Sequence, residues 1–418
     1  MRQIFTAVLL FAAVTTGLCP QEISGSIQEE NKITAVSVTG LKRTKPHIIE
    51  KPLQKFIGRN AGTIDTNEVF AVVKSTGVLE PLSADILDNQ EKSGKTLAVT
   101  VREKWAIFPV PLVSVNSNGW SAGGALADSN AFGLKDVIMA MGMFGSGDVT
   151  AGVMYANTPD GIGEFGWNVM GFFSIKENEN TDQTGDKTLR RYNSMSINPA
   201  IGLSYGLSEH VTPSVNLSYR YIQLRYTENP VNAPENGAQG ITLSPNIGIR
   251  HNTWDGYFLN EKSASLKYNY TLIIDGDDVH SVSLNAVFNH SIIPGFRFTA
   301  KGGMTFSTPS TLPFFVSSPA VAGVHILSGT YSANRFAGGS LGLEKYLFKL
   351  KFGTISVTAA YQAVYSHGDL LKYQFDHGAA AMVQMYFSGL ALPAMGLGGA
   401  YNVDKNAWQF AFNMGMAF

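Results

Sequence analysis

Residues 407–418 read "AWQFAFNMGMAF". Trp408, Phe410, Phe412, Met414, Met416 and Phe418 are large and apolar, while Ala407, Gln409, Ala411, Asn413, Gly415 and Ala417 between them are small or polar. A period of two is the repeat of a β-strand, because successive side chains point to opposite faces. The stretch is longer than a typical soluble strand of about 3–10 residues. It suits a tilted strand crossing a bilayer, which takes roughly 9–11 residues. The apolar face then meets lipid and the leaner face lines a lumen.

Composition agrees with that reading. The chain has 418 residues, 31 basic and 32 acidic, with 15% charged and 43 glycines. Soluble domains average about 25% charged residues. Balanced charge gives no electrostatic case for a nucleic-acid partner. Mean hydropathy is near zero, far below that of a helical membrane protein, and beyond residue 19 no run of about 18 apolar residues occurs. The first residues, "MRQIFTAVLLFAAVTTGLC", give a basic Arg2, an apolar stretch over 4–14 and small residues after it. Residues 1–19 are thus expected to be a secretory signal peptide. Cys19 is the only cysteine, so no disulfide framework exists. Thr16, Gly17 and Leu18 before it fit a lipoprotein cleavage site poorly. Cys19 is either lipidated, lost with the signal, or part of a flexible tail. A secreted chain of this size without helical spans is periplasmic, extracellular or an outer-membrane barrel.

Residues 20–31 are polar and expected to be a disordered lead. Residues 32–104 differ from everything after them. "ITAVSVTG" (33–40) is a β-branched strand closed by a turn glycine. In "TKPHIIEKPLQKFIG" (44–58), Thr44 is a candidate cap, Pro46 suits a first helical turn, and Ile48, Ile49, Leu53 and Phe56 recur at helical spacing. Pro52 interrupts the second half of this helix. Asp65 with Glu68 forms a capping box ahead of Val69, Val72 and Val73. "EPLSADILDN" and "KTLAVTVREKW" are two further strands around the turn "EKSG". The expected order is β-α-α-β-β.

From residue 106 the pattern is strands and turns with no helical period. Sixteen strands are expected, beginning near residues 108, 120, 137, 149, 164, 194, 212, 241, 263, 279, 296, 335, 354, 374, 390 and 407. A lipid-facing sheet cannot leave edge N–H and C=O groups unpaired, so the last strand is expected to pair with the first. The fold class is therefore mainly β: a small α+β domain over 32–104, then a closed 16-stranded antiparallel transmembrane β-barrel over 105–418.

Particular motifs sharpen this. The opening "I-x-x-V-x-V-x-G", Gly62 with Asp65 before the second helix, and the closing "L-x-V-x-V-x-E-K" over 97–104 resemble a POTRA domain; the alternative is some other small periplasmic α+β domain. "DSNAFG" (128–133) resembles the "D-x-N-x-x-G" of the BamA/TamA family of outer-membrane assembly proteins. "HNTWDGYFLNEKSASL" (251–266) resembles that family's turn into its ninth strand, matching at Asn252, Asp255 and Phe258, with His251, Leu259 and Lys262 in place of an aspartate, a proline and a glycine. "GGSLGLEKYLF" (338–348) is similar to its Gly-Gly strand, with Glu344 at the acidic position and Phe348 where proline is usual.

The resemblance also implies a long loop folded into the lumen that carries an arginine paired with a carboxylate. The matching segment is 308–339, where "LSGTY" holds Gly329 but has Ser328 at the arginine position. Arg335 is then a candidate substitute partner for Glu344, since a luminal arginine–carboxylate pair would be bidentate. The other reading of Arg335 is a strand-end residue near lipid headgroups.

No catalytic constellation has support, and no enzyme activity or cofactor is expected. The eight histidines have no metal-ligand spacing such as H-E-x-x-H. "GGSLG" is similar to a nucleophile elbow but lies in a strand pattern without a following helix. "DGDD" (275–278) reads as a solvated hairpin turn rather than a calcium site. Three roles remain. An assembly or translocation factor would take unfolded or nascent outer-membrane proteins, with periplasmic accessory proteins and outer-membrane lipids as further partners. Its small domain would sit in the periplasm and add a client strand at an edge around Leu82, Ala84, Ile86 and Leu87. The client would then meet a barrel seam formed by Phe108, Val110 and Leu112 and by Trp408, Phe410, Phe412 and Phe418. The alternatives are a passive diffusion pore and a protein-secretion transporter.

Overall fold

The computed structural model describes residues 31–89, 94–116, 119–145, 148–159, 161–228, 237–255, 258–274, 276–308, 323–329, 331, 333–367, 373–387 and 394–415. The expected signal peptide, nearly all of the lead, Cys19, Asp275 and Phe418 lie outside these residues.

The chain starts with a three-stranded sheet in the order β1-β3-β2. β1 (Ile33–Thr39) runs parallel to the central β3 (Lys95–Glu103), and β2 (Leu79–Asp88) runs antiparallel to it. Between β1 and β2 lie α1 (His47–Leu53) and α2 (Thr66–Ser75). Ile48, Ile49 and Leu53 of α1 and Val69 and Val73 of α2 are buried. The helices and sheet share a core with Ile33, Phe56, Leu79, Leu97, Val99 and Val101. Each such fully buried side chain contributes about 1.5–3 kcal/mol. Pro52 sits inside α1, which gives way one residue later to a 3-10 turn, Gln54–Phe56. Asp65 caps α2 by accepting from the Asn67 N–H at 2.9 Å. The reciprocal half of the expected capping box is not made, because Glu68 pairs instead with Arg59 and Lys55.

The rest is one antiparallel sheet of 16 strands. They are β4 (Ile107–Asn116), β5 (Gly119–Ala131), β6 (Asp136–Gly145), β7 (Val149–Asn157), β8 (Phe165–Thr181), β9 (Thr188–Tyr205), β10 (Val211–Glu228) and β11 (Ala238–Asp255), then β12 (Phe258–Ile274), β13 (Val279–Ile293), β14 (Phe296–Ser307), β15 (Arg335–Leu350), β16 (Gly353–His367), β17 (Gln374–Phe387), β18 (Ala394–Asn402) and β19 (Ala407–Gly415).

Alternation sorts the two faces. Leu217, Ile241, Leu243, Leu266, Leu272, Phe288, Leu341 and Leu343 are exposed on the outside. The opposite face carries a polar ladder: Thr242 with Thr271, Ser244 donating to Asn269, Asn269 to Ser281, and Thr305 to Ser283. An apolar exterior over a hydrogen-bonded interior is the pattern of a sheet immersed in hydrocarbon. Contacts across the inside show that the sheet curls. Gln409 on β19 donates to the Thr184 carbonyl in the β8–β9 turn at 2.8 Å.

Closure by hydrogen bonding, expected from the sequence, is not found. β4 and β19 are the two ends of the strand order, and no ladder joins them among the described residues. Instead Phe108 and Leu112 of β4 pack with Ala125, Ala127, Met139 and Met141, and also with Phe387 and Met395. Tyr386 and Gln384 bond to inward groups, and Val383 and Leu397 are exposed outside. Alternation therefore puts Phe387 and Met395 on the outer face. The inner side of the first strands laps over the outer side of the last ones. The physical reason lies in β4 itself. Pro109 and Pro111 are two residues apart, so both lack a donor on the same strand edge, and proline is accommodated where that edge is free.

Candidate functional site

Three places combine charge, burial and strand edges. The first is the junction between the small domain and the sheet, which defines the near end of the barrel. The Glu103 carboxylate accepts from the backbone N–H groups of Lys42, Arg43 and Thr44 at 2.9, 2.9 and 2.6 Å. Burial pushes the Glu103 carboxyl up, but these bonds together outweigh it and hold its pKa below the ordinary value. The loop so fixed reaches β5. Arg43 makes a two-pronged contact with Asp128, at 2.5 and 3.3 Å. Asn130 donates to the Thr44 hydroxyl at 2.9 Å, and the Lys45 N–H donates to the Gly133 carbonyl at 2.8 Å. Thr44 is thus a docking residue and not the expected helix cap. Gly133 has φ +74°, and a Cβ there would lie 2.0 Å from the Arg43 carbonyl oxygen. Lys51 of α1 also pairs with Glu164. The stretch "DSNAFG" is therefore the surface on which the small domain docks.

The second place is the lumen. Gly323, Val324, His325, Ile326, Leu327, Ser328 and Gly329 run inside the far end. Val324, Ile326 and Leu327 are buried with Tyr331, Ala333, Phe336, Val364 and Ala400. Polar anchors fix the path: the His325 N–H donates to Gln362, Asn402 donates to the Ile326 carbonyl, and Tyr331 bonds Ser366 at 2.8 Å. The Ser328 N–H donates to the Gln183 carbonyl, and Thr181 bridges Tyr331. The β8–β9 turn and this segment meet at the far mouth.

At the near end of the lumen Glu344 is fully buried, and its partner is Arg297, not the expected Arg335. Arg297 stands opposite Glu344 in the β14–β15 ladder. It donates through Nε at 3.0 Å and also through Nη2. Arg297 further donates to the Leu259 carbonyl at 2.8 Å and to the Tyr386 hydroxyl at 2.8 Å. Its guanidinium lies 4.8 Å from the Phe258 ring centre. Ser356 and Tyr386 donate to the other Glu344 oxygen at 2.5 and 2.7 Å. Every side of the pair is met, as a buried ion pair requires. The cluster ties β12, β14, β15, β16 and β17 together.

The expected Arg335 role fails for a reason of alternation. Leu341 and Leu343 point out, so odd positions of β15 face outward and Arg335 with them, while Glu344 faces in. The wall arginine Arg297 meets the carboxylate instead. Gly329 ends the described part of the luminal segment over 323–329.

The third place is the pair of free edges. In the small domain β2 is an edge strand. Leu82, Ile86 and Leu87 are exposed along it, whereas Ala84 turns in against the core. Leu82 falls at a bulge, where the register shifts between Pro81 and Ser83. At the seam, Trp408 and Phe410 are 72% and 95% exposed, facing outward as their spacing implied. Phe108 and Leu112 face in. Val110 pairs with Ala125 and Phe412 with Leu397 in the backbone ladders. Sequence reasoning missed Arg297, Tyr386 and Gln409. A charge inside the apolar alternation of "FRFTAKGG" was the available signal for Arg297.

The fold is thus a small α/β domain docked on a 16-stranded antiparallel sheet, with the segment over 323–329 inside its far end. No family model and no curated protein matches the chain. Solved structures do match. BamA from Haemophilus ducreyi lacking POTRA domains 1–3 aligns at 14% identity and TM-score 0.51, covering 91% of this chain and 83% of that one. CdiB from Acinetobacter baumannii aligns at 12% identity and TM-score 0.57, covering 91% and 73%. CdiB from Escherichia coli aligns at 11% identity and TM-score 0.61, covering 92% and 75%. The chain thus shares its fold with BamA and CdiB, at identities that carry the fold alone.

Proposed function

We propose that this chain is an outer-membrane protein that assists the insertion, assembly or translocation of other proteins. The observation that carries the reading is the seam, where β4 packs by side chains against β17 and β18 and no ladder joins it to β19 among the described residues. An unpaired strand edge in a bilayer needs backbone partners, and a client strand supplies them by β-augmentation. In this reading the small domain is a POTRA domain in the periplasm. Its β2 edge takes an unfolded or nascent outer-membrane protein first, and Arg43 and Asp128 hold the domain on β5, the neighbour of β4. No covalent step and no cofactor is required; client folding supplies the free energy.

A diffusion pore is disfavoured by the luminal segment over 323–329, which occupies the far mouth. A secretion transporter remains the second reading, favoured by the fold shared with CdiB. Photo-crosslinking from position 408 or 410 in growing cells tests the proposal. Trapped nascent outer-membrane proteins are the expected products. A normal outer-membrane proteome after depletion of the chain, with a single secreted protein trapped, would favour the transporter. Large ohmic conductance in planar bilayers, with nothing trapped, would favour the pore.

A further inference from the structure

A groove of about 590 Å³ opens on the outer wall at the far ends of β13–β16, lined by His280, Phe306, Arg335, Tyr365, His367 and Tyr373 among others. Register builds it. Val282 stands opposite Phe306, Phe306 opposite Arg335, and Arg335 opposite His367. Four neighbouring strands spaced about 4.8 Å apart thus place these side chains in one row about 14 Å wide. Toward the middle of the wall the outward positions are apolar, among them Leu284, Met304 and Leu341. Toward the far rim they are His280 and Tyr373.

Among the described residues Arg335 makes no ion pair, and its one hydrogen bond is a long one, 3.5 Å from Nε to the Ser307 carbonyl. His367 stacks on Tyr373 with centroids 4.2 Å apart, and its Nδ1 is buried without a partner among the described residues. His280 bonds the Tyr268 hydroxyl at 2.6 Å. Asp278, on the adjoining turn, is held by Tyr270 at 2.6 Å. A guanidinium left open at the boundary between an apolar wall and a polar rim fits one kind of molecule: an anionic group attached to a hydrocarbon chain.

We infer that this groove binds an anionic phospholipid, one whose phosphate charge is not neutralised by a cation in the same headgroup, with the phosphate on Arg335 and an acyl chain along Val282, Phe306 and Tyr365. Arginine matches phosphate geometry with two parallel N–H donors, and the aromatic rings suit the interfacial depth. The inference rests on the sheet lying in a bilayer and is independent of the assembly role.

The test uses the full chain, delipidated in detergent and offered phosphatidylglycerol or phosphatidylcholine with the same acyl chains. Lipid retained is counted by native mass spectrometry. Wild type should retain phosphatidylglycerol about tenfold more than phosphatidylcholine, the equivalent of one charge-assisted contact of roughly 1.4 kcal/mol. Arg335→Gln should bring the two lipids within about twofold, and Arg335→Lys should keep part of the preference. Lys345→Gln, an outward cation at the near end of the same strand, should leave the preference intact. The retarded gel migration of unfolded barrels identifies any variant that fails to fold. Equal retention of both lipids by wild type, or an unchanged preference in folded Arg335→Gln, overturns the inference. So does equal loss in Lys345→Gln. Displacement of the lipid by millimolar inorganic phosphate would also overturn it, because the site would then hold a free anion.

Discussion

Arg297 and Glu344 show how much a single position depends on its register. The sequence marks Glu344 as acidic within a strand and supplies Arg335 close by, which made Arg335 the natural partner. Parity decides otherwise, because positions 335 and 344 differ by an odd number and face opposite sides of β15. Arg297 lies across the 308–334 connection, whose length hides the pairing from any local reading. The cluster gives a sharp contrast between two arginines. Arg297→Met should cost about 3–5 kcal/mol, since it leaves Glu344 buried and unpaired. Arg335→Gln should cost under about 1 kcal/mol, as a half-buried outward position with no ion pair among the described residues does. Guanidinium unfolding in detergent separates the two, and equal losses would contradict the assigned partners. Glu103 yields a pH dependence. Its folded pKa lies below the ordinary carboxylate value, so its contribution is fully present above that value and is lost as pH falls through the depressed folded value. Docking of the small domain, read by limited proteolysis at the junction, should therefore loosen on acidification. Glu103→Gln should be loose already at neutral pH and flat with pH. A wild-type junction that tightens as pH falls would refute the role given to this carboxylate.

At the scale of elements, the alternation of apolar residues located the strands well, from Val149 and Val279 to Ala407. It failed at their polar ends. β9 begins at Thr188 and β12 at Phe258, about six and five residues ahead of the sequence-based starts near 194 and 263. In "TLRRYNS" and "FLNEK" the outward positions carry no oily stripe, since these ends lie at the barrel rims. Backbone pairing, not hydrophobicity, extends the strands there. The helical pair was legible from Ile48, Ile49, Val69 and Val73. The docking role of Thr44 was not, because its partner Asn130 is 86 residues away. β4 supplies a test of why the seam stays open. Pro109→Val with Pro111→Val restores two donors on that edge and should let β4 and β19 pair. Crosslinking of clients from position 410 should then fall severalfold. An undiminished yield would mean that the prolines do not govern the seam. Gly133→Ala should loosen the junction, since its Cβ meets the Arg43 carbonyl, and faster proteolytic release of the small domain would report it.

The whole molecule follows from one constraint. A sheet with an apolar exterior must lie in hydrocarbon, and there each backbone donor and acceptor needs a partner. Among the described residues fourteen of the strands satisfy this with neighbours on both sides, and β4 and β19 do not. The exterior, the polar interior and the strand number were all readable from spacing and composition. Closure was expected because edge groups in lipid need partners; it is replaced by an overlap, in which the first strand lacks two edge donors and packs on β17 and β18. The luminal segment and the Arg297 cluster keep the curled sheet in shape while the seam stays unzipped. Hydrogen–deuterium exchange of the full chain in lipid nanodiscs measures this most directly. Amides in β19 should exchange at least about 100-fold faster than those of β11–β13, a difference near 2.7 kcal/mol in local opening. Equal protection of β19 and β11–β13 would mean that the first and last strands are hydrogen-bonded to each other, and the proposed route for a client strand would be closed.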